Sequence, residues 1–216
     1  MGRDNTIPQS ASLTAPFTQG GLVLGITGGT GSGKTTLLDV IRAHGGRVLD
    51  CDAIYHQLLQ RDKALLQAIE SRFPGVVEAE GLNRKKLGNI VFSDKAALED
   101  LNRITHSAVK QEVLCKLQEP SELVAIDAIG LFEGGLAELC QVTVAVTAPL
   151  EMRINRLMAR DGITEEYAKN RIAAQRSDAW FREKCDHMLI NDGSKEAFEI
   201  RCLAFLRSLG IMKEKQ

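Results

Sequence analysis

The sequence predicts an α/β fold in which a five-stranded parallel sheet lies between two layers of helices. Two observations support this prediction. Five short apolar segments of strand length alternate with longer segments in which apolar residues recur at helical spacing. Strands that are separated by helices pair in parallel, and helices then cover both faces of the sheet. The length of 216 residues, 44% of them apolar, suits one domain with a substantial core.

The predicted strands and helices alternate along the chain. The strands are predicted at residues 22–27, 47–52, 122–127, 141–147 and 187–191. Helices are predicted at residues 34–44, in a charged stretch from 53 to 118, from 149 to 160, after Thr164, and from Ser194 to Leu209. Breaks at 73–75, 80–81 and 92–94 divide the charged stretch, and residues 94–119 form either one long helix or two abutting helices.

Charge and cysteine content argue against several classes of protein. The 27 basic and 28 acidic residues give a formal net charge of −1, whereas a nucleic-acid-binding domain normally has a basic excess. The five cysteines form no C-x-x-C pair, which argues against a zinc site or a disulfide framework and favours a reducing compartment.

These features also bound the location and partners of the protein. No apolar segment reaches the length of a membrane span, and residues 1–20 lack the apolar stretch of a signal peptide. We expect a cytoplasmic protein without nucleic-acid or membrane partners, with a disordered tail at 1–20 and a single domain at 21–216. A monomer is expected, with an oligomer left open.

A glycine-rich segment connects the first predicted strand to the first predicted helix. Residues 28–35 match G-x-x-x-x-G-K-[ST] at every fixed position, between a strand and a helix as this motif requires. Glycine permits positive φ, so backbone N–H groups can turn inward around an anion, and the helix N-terminus adds partial positive charge. We predict that Lys34 binds the outer phosphates and that the Thr35 hydroxyl ligates Mg²⁺.

The loop therefore predicts a fold of the P-loop NTPase type with a bound nucleoside triphosphate. The predicted nucleotide-binding residues in this segment are Gly28, Gly29, Thr30, Gly31, Ser32, Gly33, Lys34, Thr35 and Thr36.

P-loops serve several classes of protein, and the rest of the chain favours a small-molecule kinase. Residues 127–130 match the D-x-x-G pattern of GTP-dependent switches, but the sequence lacks the guanine-reading N-K-x-D pattern. It also lacks a signature of the ABC type and the long accessory segments of motor ATPases. The alternatives to a kinase of this size are therefore weak.

A kinase also needs an acid near the acceptor hydroxyl and a metal site. Asp50 and Asp52 end the second predicted strand, where parallel strands face the ligand crevice, so Asp52 can orient and deprotonate an acceptor hydroxyl. The alternative is that these acids cap the following helix. Asp127 ends the third strand, where it either contacts Mg²⁺ through water or is a hydrogen-bonded strand terminus.

Three arginines after the fourth strand suggest a lid over the site. Arg153, Arg156 and Arg160 lie on one helical stripe, where they can clamp a phosphoryl group or form a solvated basic face. The apolar residues expected on the opposite, core-facing side are Leu150, Ile154, Leu157 and Met158.

The order of motifs along the chain is specific in combination. Beyond the loop, the sequence contains VLDCD, GLNRKKLGNIVF, LNRITH, LFE, RLMARDGITEEYAKNRIAAQ and CDHMLINDGS. Over about residues 22–208, this series resembles the dephospho-CoA kinase family. The resemblance implies ATP-dependent phosphorylation of the ribose 3′-hydroxyl of dephospho-CoA, giving CoA and ADP in the last step of coenzyme A synthesis. The alternatives are a nucleoside or nucleotide kinase and, more remotely, a P-loop GTPase switch.

The resemblance also implies a three-part layout and roles for individual residues. The core would comprise residues 21–54, 121–150 and 185–210, with a helical CoA-binding insertion near 55–120 and a lid near 150–180. By this resemblance, Asp52, Lys34 and Arg156 are catalytic, and Arg160, Asn191 and Gly193 join the nucleotide site. The implied acceptor-binding residues are Asp52, Leu82, Arg84, His106, Arg171 and Gln175.

Several positions depart from the pattern of the family. Cys51 replaces a small residue and His56 replaces an arginine, so a positive charge is lost or moved. Ile129 and Gly130 stand where proline and leucine are usual, and Ser107 replaces a proline. Arg153 stands where glutamine is common and is a candidate for supplying the missing charge.

Overall fold

The computed structural model describes residues 21–211, so the predicted tail at 1–20 and the last five residues of the predicted domain lie outside it. The strands are β1 (Leu22–Thr27), β2 (Arg47–Asp50), β3 (Val77–Glu78), β4 (Gly81–Leu82), β5 (Leu123–Asp127), β6 (Val142–Thr147) and β7 (His187–Ile190). The helices are α1 (Lys34–Ala43), α2 (Cys51–Arg61), α3 (Lys63–Arg72), α4 (Arg84–Val91), α5 (Lys95–Leu117), α6 (Leu150–Asp161), α7 (Glu165–Ala173), α8 (Asp178–Lys184) and α9 (Lys195–Ser208).

Five parallel strands form the central sheet in the order β2-β5-β1-β6-β7. The three inner strands are rich in apolar residues and almost wholly buried because both of their faces are covered. One apolar cluster joins the sheet to α1 and α9, and another joins its opposite face to α2, α3 and α5. The predicted three-layer α/β/α fold is confirmed.

The stretch between β2 and β5 is helical, as predicted, and α5 is one uninterrupted helix of 23 residues. Asp62, Asn83 and Asp94 cap α3, α4 and α5 by accepting hydrogen bonds from backbone N–H groups of the first turn. The small antiparallel hairpin of β3 and β4 was not predicted, and the expected break at 80–81 lies at its turn.

The second strand is two residues shorter than predicted, because α2 begins at Cys51. Asp50 is its N-cap, and its carboxylate accepts a hydrogen bond from the N–H of Ala53 over 2.9 Å. Asp52 therefore lies in the first turn of α2 and not at a strand end. Asp50 is also the register partner of Asp127 on the neighbouring β5.

The helix after β6 presents a different face to the core than its sequence predicts. It begins after Pro149 and ends at Asp161, and the following Gly162, with a φ of 64°, adopts the left-handed conformation that terminates the helix. Ile154 and Leu157 are buried, but Leu150 and Met158 are 51% and 37% exposed, so their predicted core positions are wrong. Arg153 is buried instead, at 6% exposure. Its guanidinium is accommodated there because it donates hydrogen bonds to the half-buried Thr30 carbonyl and Gln175 side chain.

Candidate active site

Glycines shape the loop between β1 and α1. Gly28, Gly31 and Gly33 have φ values of 135°, 74° and 99°, in the left-handed region that disfavours side chains. A Cβ at Gly28 would also collide with the carbonyl oxygen of Val146 on β6. Such residues at the N-terminus of a helix form a backbone nest suited to an anion.

Lys34, the first residue of α1, reaches back over this loop. Its Nζ donates a hydrogen bond to the carbonyl oxygen of Gly28 over 2.9 Å. Burial lowers the pKa of Lys34, while the carboxylates of Asp127 and Asp52 act in the opposite direction. An anion bound at the loop would stabilise the ammonium further, because an opposite charge favours the charged form.

A cavity of about 480 Å³ lies over the loop, and we call it the phosphate-loop cavity. Its walls come from the loop, the ends of β2 and β5, and the helices α6 and α7. The lining residues are Gly29, Thr30, Gly31, Ser32, Gly33, Lys34, Thr35, Asp52, Asp127, Ala128, Ile129, Arg156, Leu157, Arg160 and Arg171. Most of the predicted nucleotide-binding residues therefore surround one space, together with three arginines.

A second cavity of about 250 Å³, the α5 cavity, lies beside the first. Its lining residues are Cys51, Asp52, Tyr55, Leu101, Asn102, Thr105, His106, Val109, Ala128, Ile129, Gly130, Gly134 and Leu136. Asp52, Ala128 and Ile129 line both cavities. Asp52 therefore lies at the junction between a phosphate-binding loop and a separate pocket that is large enough for part of a small molecule.

Asp127 lies at the floor of the phosphate-loop cavity. Burial raises the pKa of Asp127 to about 6, and the nearby Lys34 ammonium opposes that shift. Its buried Oδ1 and the buried Oγ of Ser32 have no hydrogen-bond partner within residues 21–211. Asp127, Ser32 and Thr35 all line this cavity, and oxygen groups of this kind suit a hard cation, because magnesium prefers oxygen ligands.

Two arginines of α6 hold different positions around the loop. Arg156 donates to the carbonyl oxygens of Gly31 and Ser32 over 3.2 and 3.3 Å. It also donates to Oδ1 of Asn191 over 3.1 Å. Arg153 donates to the carbonyl oxygen of Thr30 over 2.9 Å and does not line the cavity. Its charge nevertheless acts on Lys34, because burial and then the Arg153 guanidinium lower the pKa of that lysine. The role of Arg153 as the source of the missing charge stays a prediction.

Arg160 and Arg171 share a carboxylate at the end of α6. Asp161 accepts two hydrogen bonds from Arg160 over 2.7 and 2.9 Å and one from Arg171 over 2.7 Å. These contacts, led by the hydrogen bonds from Arg160, lower the pKa of Asp161 to about 2. Both arginines line the phosphate-loop cavity, and Asp161 holds them beside each other.

Gln175 contacts the loop from outside the cavity. Its Oε1 accepts hydrogen bonds from the backbone N–H of Thr30 over 2.8 Å and from Arg153 over 3.2 Å. Asn191 is likewise behind the loop, where its buried amide donates to the carbonyl oxygen of Ser32 over 2.9 Å. Both residues brace the loop, and neither lines a cavity.

The remaining predicted site residues lie outside both cavities. Leu82 packs on the apolar cluster beside the hairpin, and Arg84 contacts Nδ1 of His56 over 3.2 Å at the surface. The exposed Gly193 lies near Ala197, and Thr36 is in the first turn of α1. The roles of these four residues, like those of the other predicted site residues, stay predictions.

Sequence reasoning missed three polar residues of the α5 cavity, namely Tyr55, Asn102 and Thr105. A signal was present for two of them. Asn102, Thr105, His106 and Val109 are spaced three and four residues apart, which places them on one face of α5.

Between residues 21 and 211, no helix combines the length and apolarity needed to cross a membrane.

The fold and this pair of cavities define a class of protein. A glycine-rich loop with its lysine lies at the N-terminus of α1, arginines of α6 and α7 face it, and a second pocket opens across Asp52. These are the parts of a P-loop kinase that acts on a small molecule.

The particular kind of kinase follows from similarity to known proteins. The chain belongs to the dephospho-CoA kinase family, CoaE, whose model matches residues 22–197. It is 38% identical over 192 residues to the dephospho-CoA kinase of Deinococcus radiodurans, a match that covers 87% of this chain and 92% of the relative. It is 33% identical over 183 residues to that of Corynebacterium diphtheriae, covering 82% and 92% of the two chains.

Solved structures share this fold. The crystal structure of TT1252 from Thermus thermophilus matches with a TM-score of 0.75 and 33% identity, covering 88% of this chain and 99% of the other. The fold also matches the dephospho-CoA kinase from Campylobacter jejuni, with a TM-score of 0.54, 24% identity and coverage of 87% and 96%. The protein is therefore a nucleotide-using kinase, and the alternative of a GTPase switch is not favoured.

Proposed function

We propose that this protein transfers the γ-phosphoryl group of ATP to the ribose 3′-hydroxyl of dephospho-CoA, giving CoA and ADP. The observation that carries the proposal is the position of Asp52, which lines both the phosphate-loop cavity and the α5 cavity. A group at this junction can contact an acceptor in one cavity and the transferring phosphoryl group in the other. Family membership supports dephospho-CoA as the acceptor.

In the proposed mechanism, the triphosphate of ATP lies on the backbone of residues 28–35, with Lys34 against its outer phosphates. The ribose of dephospho-CoA lies in the α5 cavity with its 3′-hydroxyl beside Asp52. Asp52 orients this hydroxyl and accepts its proton as the oxygen attacks the γ-phosphorus in line with the departing ADP oxygen. The bond to ADP breaks as the new O–P bond forms, and the leaving oxygen carries its electron pair away on ADP.

Cationic side chains of α6 and α7 would neutralise charge during the transfer. Arg156 already lies on the loop, where it is bonded to two of the loop's carbonyl oxygens. Arg160 and Arg171 are held beside the same cavity by Asp161. Movement of this segment onto bound ATP would bring their guanidinium groups to the phosphates and exclude water.

Magnesium fits the oxygen atoms that the chain offers at this site. The Thr35 hydroxyl would bind the ion directly and Asp127 would bind it through water, which would give the orphaned Oδ1 of Asp127 a partner. When bound, magnesium neutralises charge on the β- and γ-phosphates. Within residues 21–211, no three His, Cys, Asp or Glu side chains converge on a metal site, which suits an ion held mainly by nucleotide and water.

The remaining proposals concern the site of action and the assembly. All five thiols are free, which suits a reducing cytoplasm, and the near-zero net charge suits a protein that acts on small molecules. We propose a cytoplasmic monomer. Light scattering at micromolar concentration tests the assembly, and a mass near 47 kDa, twice the 23.6 kDa of the chain, would refute the monomer.

ADP release measured with different acceptors tests the function. The purified protein with ATP and Mg²⁺ receives dephospho-CoA, adenosine, AMP or no acceptor in parallel reactions. We expect stoichiometric ADP and CoA with dephospho-CoA, and only background ADP release in the other three reactions. Faster ADP release with adenosine or AMP would replace the proposal with a nucleoside or nucleotide kinase.

A further inference from the structure

The connection between α7 and α8 contacts the walls of both cavities. It contains the consecutive residues Gln175 and Arg176. Oε1 of Gln175 accepts a hydrogen bond from the N–H of Thr30 in the phosphate loop over 2.8 Å. Nε of Arg176 donates to Oε1 of Glu133, in the loop after β5, over 3.0 Å. One step of the chain therefore contacts the loop on the nucleotide side and the loop on the acceptor side.

The loop that contains Glu133 is a compact unit and forms part of the α5 cavity. The N–H of Gly134 donates to the carbonyl oxygen of Gly130 over 2.8 Å, and the N–H of Leu136 donates to that of Leu131 over 3.0 Å. Gly130, Gly134 and Leu136 all line the α5 cavity. A displacement of Glu133 should therefore also move the residues of this loop that line the α5 cavity, because the loop is closed by its own hydrogen bonds.

Aromatic contacts reinforce the ion pair between Arg176 and Glu133. The guanidinium of Arg176 lies over the ring of Trp180, 5.1 Å from its centroid. Trp180 in turn makes edge-to-face contacts with Phe132, next to Glu133, and with the buried Phe181 of α8, at centroid distances of 5.4 and 5.3 Å. The α7–α8 loop and the start of α8 thus meet the loop after β5 through a charge pair and an aromatic pair.

An isolated surface ion pair would be weak, and Arg176 and Glu133 are both partly exposed. Here the same arginine also stacks on an aromatic ring that contacts the neighbour of its carboxylate partner, so the contacts act together. Arg176 and Trp180 make none of the contacts of the phosphate loop itself. Their location matches a link between the α6–α8 segment and the acceptor wall.

We propose that Arg176 is a positioning residue for the acceptor: with Trp180, it holds the 130–136 loop against the α6–α8 segment and so shapes the α5 cavity. This inference rests on the proposed function, because it takes the α5 cavity as the dephospho-CoA site. It also couples the two substrates. Movement of α6–α8 onto ATP shifts Gln175 and Arg176 together, and the wall of the α5 cavity moves with them.

Steady-state kinetics of Arg176→Gln, Glu133→Gln and the double variant test the role in positioning. We expect each single variant to raise KM for dephospho-CoA about fivefold, with kcat and KM for ATP changed less than twofold. Fivefold is about 1 kcal/mol. The double variant should resemble the singles, because both lose the same contact. Arg182→Gln is the matched control, since Arg182 is exposed on α8 and makes no ion pair within the described residues.

The intrinsic fluorescence of Trp180 provides a readout that does not depend on turnover, because Trp180 is the only tryptophan of the chain. Dephospho-CoA titrated without nucleotide should shift its emission in the unchanged protein and in Arg182→Gln. The shift should fall by at least half in Arg176→Gln, in which the indole has lost the guanidinium.

The outcomes separate this inference from the proposed function. If the unchanged protein transfers no phosphoryl group to dephospho-CoA, both are refuted. If transfer occurs but KM for dephospho-CoA in Arg176→Gln stays within twofold of the unchanged protein, the positioning role is refuted alone. An equal fall in kcat/KM for ATP and in kcat/KM for dephospho-CoA would also refute it, because that result indicates a general defect of the lid.

Discussion

Arg156 and Asn191 form a hydrogen bond behind the phosphate loop, with Nη2 of the arginine 3.1 Å from Oδ1 of the asparagine. The amide of Asn191 also donates to the carbonyl oxygen of Ser32 over 2.9 Å. Asn191 follows β7, whereas Arg156 belongs to α6. One buried amide therefore fixes the loop and a cationic side chain relative to each other.

Replacing this amide should cost both stability and activity. Asn191→Ala removes two hydrogen bonds behind the loop, one to the Ser32 carbonyl and one from Arg156, which costs about 1–3 kcal/mol. For a chain of this size we expect Tm to fall by about 3–9 °C, and kcat/KM for ATP to fall about tenfold. Thermal unfolding and initial rates measure both, with the exposed Asn89→Ala as control. A variant with unchanged Tm and unchanged rate would contradict the bracing role.

Asp52→Asn should abolish proton transfer while leaving ATP bound. Without the carboxylate we expect kcat to fall by about two to four orders of magnitude, the range for lost acid–base assistance. Isothermal titration should give a Kd for ATP within threefold of the original. The assignment would be lost if the variant retained more than a tenth of the original turnover.

Asp50→Asn is the matched control for that variant. Asp50 lies two residues earlier and caps α2 through a hydrogen bond from Ala53. Asparagine is an equally good N-cap, so the helix and the turnover should both be preserved.

Lys34→Ala should remove the charge that faces the outer phosphates. Loss of one such preorganised donor costs about two to three orders of magnitude in kcat. The variant should still fold, because the ammonium of Lys34 is buried at a cost in solvation. Circular dichroism checks the fold, and coupled ADP release checks the rate. Lys63→Ala, an exposed change at the start of α3, should keep the original rate.

Asp127→Asn should stabilise the ligand-free protein above pH 6. Burial raises the pKa of Asp127 from 3.8 to about 6, so the folded state binds its proton more tightly than the unfolded state. The protonated carboxyl group of Asp127 therefore favours folding at low pH. This contribution to the free energy of unfolding is lost as pH rises from about 4 to 6. Urea unfolding should show the variant more stable by about 1–3 kcal/mol at pH 8 and no more stable at pH 3.5. A difference independent of pH would contradict the shift.

The thiol of Cys51 should resist alkylation despite its place in the α5 cavity. Burial raises the pKa of Cys51 to about 12, so at pH 8 almost none of it is the reactive thiolate. Burial also raises the pKa of Cys140 to about 12, whereas Cys115 is exposed. Iodoacetamide at pH 8 followed by peptide mapping should label Cys115 first. Early labelling of Cys51 would show that its surroundings are less apolar than the structure indicates.

The sequence by itself determined the parts that depend on neighbours along the chain. Strand and helix periodicity predicted the five parallel strands, and local residue patterns predicted the cap of α7 and the position of the glycine loop. These features follow from local sterics and from hydrogen bonds between residues a few positions apart. Asp50, Asp52 and the arginines of α6 could be proposed as site residues from the sequence, because their place after a predicted strand and their helical spacing are also local features.

Only the tertiary structure decided which candidates face the cavities. The pattern of α6 places Arg153 on the polar side, yet it is buried because Thr30 and Gln175, 123 and 22 residues away, accept its hydrogen bonds. Asp50 caps α2 and Asp52 reaches both cavities, a division that depends on where the strand gives way to the helix. Burial of a charge depends on partners that the fold brings together, and no local pattern contains their distances.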